Sequence, residues 1–169
     1  MIETNVTISL DKLKLWRKSI RSQLKQSSSG DLTVVFKQWA VRYRSFAQDR
    51  FDRASKGDGT WERLSPVTIA RRRKGSSTIL RDTGTLFAAL APTWSAPPGS
   101  INELIDGGVR VGFGGSASHP EGFATIAQIA SYHQVGGGRL PRREIIVQPT
   151  SNVIDAFASD LERALKNAE

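Results

Sequence analysis

The chain has 169 residues, 38% of them hydrophobic, with no cysteine and a formal charge of +8 at neutral pH. That length suits one domain burying roughly 70% of its unfolded surface, and the lack of cysteine excludes disulfide staples, thiolate metal sites and cysteine nucleophiles. No apolar run reaches the roughly 20 residues of a membrane span, and the opening MIETNVTISLDK lacks the basic and apolar regions of a signal peptide, so a soluble intracellular product is expected.

Residues 6–10, VTISL, alternate and are β-branched, which predicts a short first strand. Asp11 can cap a helix over 11–25 whose Leu13, Trp16, Ile20 and Leu24 share one face at 3.6-residue spacing. Lys14, Arg17, Lys18, Arg21 and Lys25 run along its flank, and the serines and glycine at 27–30 break it before Asp31 caps the next helix. That second helix, over 32–54, carries Phe36, Ala40, Tyr43, Ala47, Phe51 and Ala54 on one line and Leu32, Val35, Trp39 and Phe46 on another. A stripe so wide can contact two surfaces, such as a sheet on one side and a neighbouring subunit on the other. Arg42, Arg44, Arg50 and Arg53 read as its polar side.

After a loop at 56–60, Ser65-Pro66 reads as N-cap and first turn of a short helix over 66–74, with Gly75 closing it. Asp82 or Thr83 opens a helix over 86–90 that stops before Pro92. Strand signals follow at 93–96, 103–105 and 108–112, with turns at Pro97-Pro98-Gly99 and Asp106-Gly107. Residues 112–123 read as an exposed, flexible glycine-rich loop, 124–135 as a helix and 144–148 as a strand. A last helix over 151–166 stacks Ile154, Phe157, Leu161 and Leu165 on one face. The expected fold is α+β: an antiparallel sheet packed by N-terminal, central and C-terminal helices in one domain over 1–169.

Charge is unevenly spread. Residues 1–75 hold 17 Lys and Arg against 7 Asp and Glu, a net of +10, while the remainder nets −2. Such a basic half suits nucleic acid or an acidic protein partner, and equally a well-solvated helical surface. The densest cluster, Arg71-Arg72-Arg73-Lys74, would sit at a helix C-terminus, where the macrodipole favours cations without any ligand. Arg142 and Arg143 follow Pro141 at the start of the expected strand, where charge can block edge aggregation or pair with a neighbour. Trp61 is expected to pack in the core or an interface.

Catalytic motifs are poorly represented. Gly112 to Ala117 satisfies GxGxxA on paper, but the histidine and proline that follow do not open the helix such a fingerprint needs. His119 and His133 are the only histidines and show no metal-ligand spacing. No GxSxG elbow is present, and no cofactor, metal or catalysis is expected.

Several pieces in order resemble one known family. Trp61, Leu64-Ser65-Pro66 with Thr68, the basic 71–75 segment, Ile79-Leu80, Thr83-Gly84 with Leu86, Val109 to Gly112, Ile129 to Gly137 and Leu140-Pro141-Arg142 carry it. The chain resembles the phage virion-morphogenesis proteins, the Mu-like tail-completion group among them, over residues 61–145, with 1–60 as a basic helical addition. It departs from the pattern at Ala130-Ser131-Tyr132-His133 and at Arg143-Glu144-Ile145. The resemblance implies a structural virion protein of the neck or head-proximal tail, a ring-forming subunit of six-fold symmetry that completes the tail for head joining. Its implied partners are copies of itself and tail-tube, tail-terminator or head–tail connector proteins, with DNA able to pass through the assembly and no membrane involved. Trp61, Arg71, Arg72, Arg73, Lys74, Arg142 and Arg143 are the expected contacts with the neighbouring subunit or ring. The alternative is a basic nucleic-acid-binding module.

Overall fold

The computed structural model describes residues 32–72, 75–105, 108–122 and 124–166. The expected strand at 6–10, the helix at 11–25, Arg73, Lys74, the Asp106-Gly107 turn and the side chain of Leu165 lie outside the described residues.

The long helix α1, Thr33–Ser55, forms the spine. Val35, Trp39, Ala40, Tyr43, Ala47, Phe51 and Ala54 recur every three or four residues and are all buried. The stripe does meet two surfaces, but both belong to the same chain. One is the β-hairpin; the other is the C-terminal helix α5, Ser151–Lys166, whose Phe157 ring lies 5.0 Å from Trp39. No neighbouring subunit is needed to cover that second face.

The polar side of α1 is also less free than expected. Arg44 is buried, Arg42 pairs with Asp160 on α5 at 2.6 Å, and Arg50 donates to the carbonyl of Glu144. Cations that look like a solvated stripe in sequence instead bind α1 to three other parts of the chain.

Helix α2, Pro66–Arg71, starts where expected: the Ser65 hydroxyl accepts from the Thr68 amide at 3.2 Å. It ends three residues before Lys74. Arg72 is already extended (φ −81°, ψ 155°), and its Nη1 donates to the carbonyls of Ser76 and Thr78. Gly75 therefore bends a loop and does not close the helix. That loop returns to α1 through Ile79, whose amide donates to the Ser55 carbonyl at 2.9 Å. Helix α3, Thr85–Ala88, is capped by Gly84 at φ 78° and not by an Asp82 or Thr83 side chain.

Strands β1, Ser100–Ile105, and β2, Gly108–Phe113, pair antiparallel, with Ser100 opposite Phe113 and Ile105 opposite Gly108. They form the only sheet among the described residues. Two expected strands are absent for one reason: a side-chain amide replaces a backbone ladder. Beside β1, Asn102 Nδ2 donates to the carbonyls of Thr93 (3.0 Å) and Trp94 (2.7 Å), so residues 93–96 dock without pairing. Beside helix α4, Ile126–Val135, Gln134 accepts from the amides of Ile145 (2.8 Å) and Ile146 (3.0 Å) and donates to the Ile146 carbonyl. Gln134 thus occupies the place a partner strand would take.

The expected α+β class with helices packed on an antiparallel sheet is what the chain adopts. One core joins Tyr43, Ala47 and Phe51 of α1 to Trp61, Ile79, Leu86, Phe113, Ile126, Ile145 and Ile146. Residues 114–122 and 124 are tied down more than the exposed-loop reading implies. Ser118 bridges Thr125, the His119 amide donates to the Ala124 carbonyl, and Ile126 donates to the Ala117 carbonyl.

Candidate functional site

The structure sorts the expected contact residues into three groups. Trp61 and Arg143 are inside. The Trp61 indole stands edge-on to Phe51 at 5.0 Å and its Nε1 donates to the Glu144 carbonyl. A tryptophan so packed stabilises the core, so the expected docking role of Trp61 is withdrawn. Arg143 is only 4% exposed, with Nη2 on the Glu62 carbonyl and its amide on the His133 carbonyl. It pins the 142–146 segment between α4 and the Trp61 loop, and is likewise withdrawn as a surface contact. Arg72 is half-buried and spent on its own loop. Arg71 and Arg142 remain exposed, the latter paired with Glu144. Arg73 and Lys74 lie outside the described residues.

The two basic segments nevertheless converge. Arg72 lies close enough to Arg143 to lower its pKa, a smaller effect than burial, while Glu62 acts in the opposite direction. Seventy residues of chain separate them. The junction is made by the end of α4: Gly136 (φ 71°) lets the backbone turn against Arg142, leaving no room for a side chain. Tyr132 and Val135, one helical turn apart, stand 57% and 62% exposed there.

Beside this junction a cleft of about 410 Å³ opens between α3, α4 and the 118–124 loop. Asp82, Thr83, Thr85, His119 and His133 supply its polar wall, and Leu80, Leu86 and Ile129 its apolar one. Both histidines of the chain therefore meet in one place, which their spacing in sequence does not disclose. Leu80 is the one described non-glycine residue at positive φ (56°), a conformation that costs an L-residue about 1 kcal/mol.

The Thr83 hydroxyl lies 2.9 Å from His119 Nε2, superficially a nucleophile beside its base. The imidazole faces the wrong way for that chemistry. Its Nδ1 accepts from the Glu121 amide at 3.3 Å, so in the neutral ring the proton sits on Nε2 and is donated to Thr83. His119 ties the loop to α3 and cannot take the threonine proton. His133 is different: burial, assisted by the Arg143 charge, pushes its pKa down to about 4, so it is neutral at physiological pH. Its Nδ1 and the Oδ1 of Asp82 are buried without a hydrogen-bond partner. Among the described residues no three His, Asp or Glu side chains are grouped to hold a metal ion, and no helix is long and apolar enough to cross a membrane.

Comparison with known proteins finds no matching family model, no matching curated protein and no matching solved structure.

Proposed function

We propose that this chain is a structural subunit of a phage neck or head-proximal tail end, working by ring assembly with copies of itself. The observation that carries the reading is the β1–β2 hairpin. Its base is buried at Ser100 and Phe113, and exposure grows along β1 until Leu104 and Ile105 stand 39% and 45% open to solvent. Among the described residues neither strand pairs with a third, so the outer edge of β2 and that of β1 beyond Asn102 can take a neighbour's strand. An open edge ending in exposed leucine and isoleucine is an aggregation hazard unless a partner covers it. When the covering surface is a different patch on an identical copy, the contact repeats head to tail and forms a ring wherever the rotation between copies closes.

The residues that carry the family resemblance support this division of labour. Trp61, Ser65, Gly84, Leu86 and Ile129 build caps, turns and core packing, and so describe a common framework. Contacts with neighbours then fall to what the framework presents: the hairpin tip, Tyr132 and Val135, and the exposed Arg71 and Arg142. The rival reading as a nucleic-acid-binding module gains little from α1, where Arg42, Arg44 and Arg50 are committed within the chain.

The test is sedimentation of the full chain, alone and with tail tubes, alongside a Leu104→Asp/Ile105→Asp variant. The wild type is expected to form a closed oligomer. The variant is expected to keep the wild-type circular dichroism spectrum, sediment as a monomer and leave heads and tails unjoined. A normal yield of infectious particles from the folded variant would remove the hairpin from the mechanism. A wild type that stays monomeric beside tail tubes would remove the ring.

A further inference from the structure

We infer that the cleft between α3, α4 and the 118–124 loop is a binding site for the guanidinium group of a protein arginine side chain. Two buried polar atoms of this cleft have no partner. Asp82 Oδ1 and His133 Nδ1 are buried, lack a partner within the protein and belong to residues that line the same cleft. A carboxylate oxygen can only accept, and neutral His133 accepts at Nδ1 in the tautomer protonated on Nε2. Leaving a buried acceptor unmet is costly, the more so when it is charged. The occupant that relieves both must bring hydrogen-bond donors.

Charge narrows the class. Among the described lining residues, Asp82 keeps a carboxylate oxygen without a partner, while the Nη1 of Arg72 is turned to the carbonyls of Ser76 and Thr78. An anion would be repelled by the free oxygen of Asp82, so a cation is preferred. Shape narrows it again. A planar guanidinium can span two separated acceptors, whereas an ammonium acts as a point charge. The exposed Tyr132 ring offers a stacking face at the rim, and Leu80, Leu86 and Ile129 suit the aliphatic stem of an arginine.

The site itself does not depend on the ring reading; only the source of the arginine does. A second copy could supply it from Arg71 or Arg139, both exposed, or another protein could.

The experiment titrates N-acetyl-arginine amide into the full chain and follows backbone amide resonances. Saturable shifts are expected at Thr83, Tyr132 and His133. The neutral isostere N-acetyl-citrulline amide, the lysine analogue and the Asp82→Asn variant are each expected to bind at least about tenfold more weakly. Asp82→Asn is also expected to melt no lower than wild type, because the carboxylate has no partner in the fold to lose. Absence of saturable shifts, equal binding of citrulline, undiminished binding by Asp82→Asn, or a lower melting temperature for that variant would each overturn the site. Sedimentation of an Arg71→Ala/Arg139→Ala variant identifies the source: lost self-association with intact arginine-amide binding assigns a second copy, and unchanged self-association assigns another protein. A failed titration beside an intact oligomer sinks the cleft alone; a bound arginine beside a monomer sinks the ring alone.

Discussion

Arg44 lies in the middle of the fold, 1% exposed, with no carboxylate among its hydrogen-bond partners. Its guanidinium spreads over Asn102 Oδ1 (2.8 Å), the Ala89 carbonyl (2.6 Å) and the Ile101 carbonyl (3.2 Å), joining α1 to β1 and to the end of α3. Burial draws its pKa down to about 10, which leaves it charged at neutral pH. Arg44→Met would strand those three acceptors and is expected to lower unfolding free energy by about 3 kcal/mol in urea titration. Arg44→Lys is expected not to restore it, since an ammonium cannot span the same fork. His133 makes a pH-dependent contribution whose sign is clear. Its folded pKa of about 4 lies below the ordinary 6.5, so the unfolded chain takes up the proton first as pH falls. Stability is fully present above pH 6.5 and is lost as pH drops towards about 4. The urea midpoint of wild type should fall more steeply across that window than the midpoint of His133→Asn, and parallel curves would rule the effect out.

At the scale of elements, α4 shows how local chemistry sets a position on which distant residues depend. The Thr125 hydroxyl accepts from the Gln128 amide at 3.1 Å and the Gln128 side chain returns to the Thr125 amide at 2.9 Å, a reciprocal cap that defines the start of the helix. Its end is defined by Gly136, and there conformation and space act together. A Cβ on Gly136 would stand 2.8 Å from the Arg142 nitrogen and 2.9 Å from its Cα, backbone atoms that cannot swing aside. Gly115 has a similar φ of 77° but open space around it. Gly115→Ala should therefore cost only the left-handed penalty of about 1 kcal/mol. Gly136→Ala should cost clearly more and speed amide exchange at Arg143, Ile145 and Ile146. Equal losses from the two substitutions would mean that the 142–146 segment does not rest on α4.

Across the whole molecule, the described ends of the chain are fastened to one another. Helix α5 lies on α1 through Phe157 and Asp160, the Tyr43 hydroxyl donates to the Val147 carbonyl at 2.8 Å, and the core runs without interruption from Tyr43 to Ile146. Trp39, stacked on Tyr43 at 5.9 Å, links the α5 contact to this core, so the described chain is expected to melt as one unit. Urea unfolding followed by tryptophan fluorescence and by far-ultraviolet circular dichroism should give coincident transitions. Two separated midpoints would show that α5 with α1 forms a unit distinct from the remainder. The exposed Leu104 and Ile105 of β1 and the exposed end of α4 are where association with other molecules is proposed.

Helix positions were largely legible from periodicity. The buried line of α1 from Ala40 to Ala54, the Ser65-Pro66 start of α2 and the bounds of α5 all follow from spacing and capping chemistry, which are local. The β1–β2 pair was legible from β-branched residues flanking an Asp-Gly turn. Segments 93–96 and 144–148 read as strands, but the partner that meets their backbone is a side chain, Asn102 or Gln134; the apolar pair Ile145 and Ile146 reports burial, not pairing. The basic segments were visible as charge, but whether an arginine faces water or a carbonyl depends on what the fold brings beside it. By sequence alone this protein was bound to be a helix-rich α+β chain without thiol chemistry, since periodicity and composition act over a few residues. Only tertiary structure decided that Trp61, Arg44 and Arg143 lie inside and that His119, His133 and Asp82 share a cleft, because those neighbours are set by packing between segments dozens of residues apart.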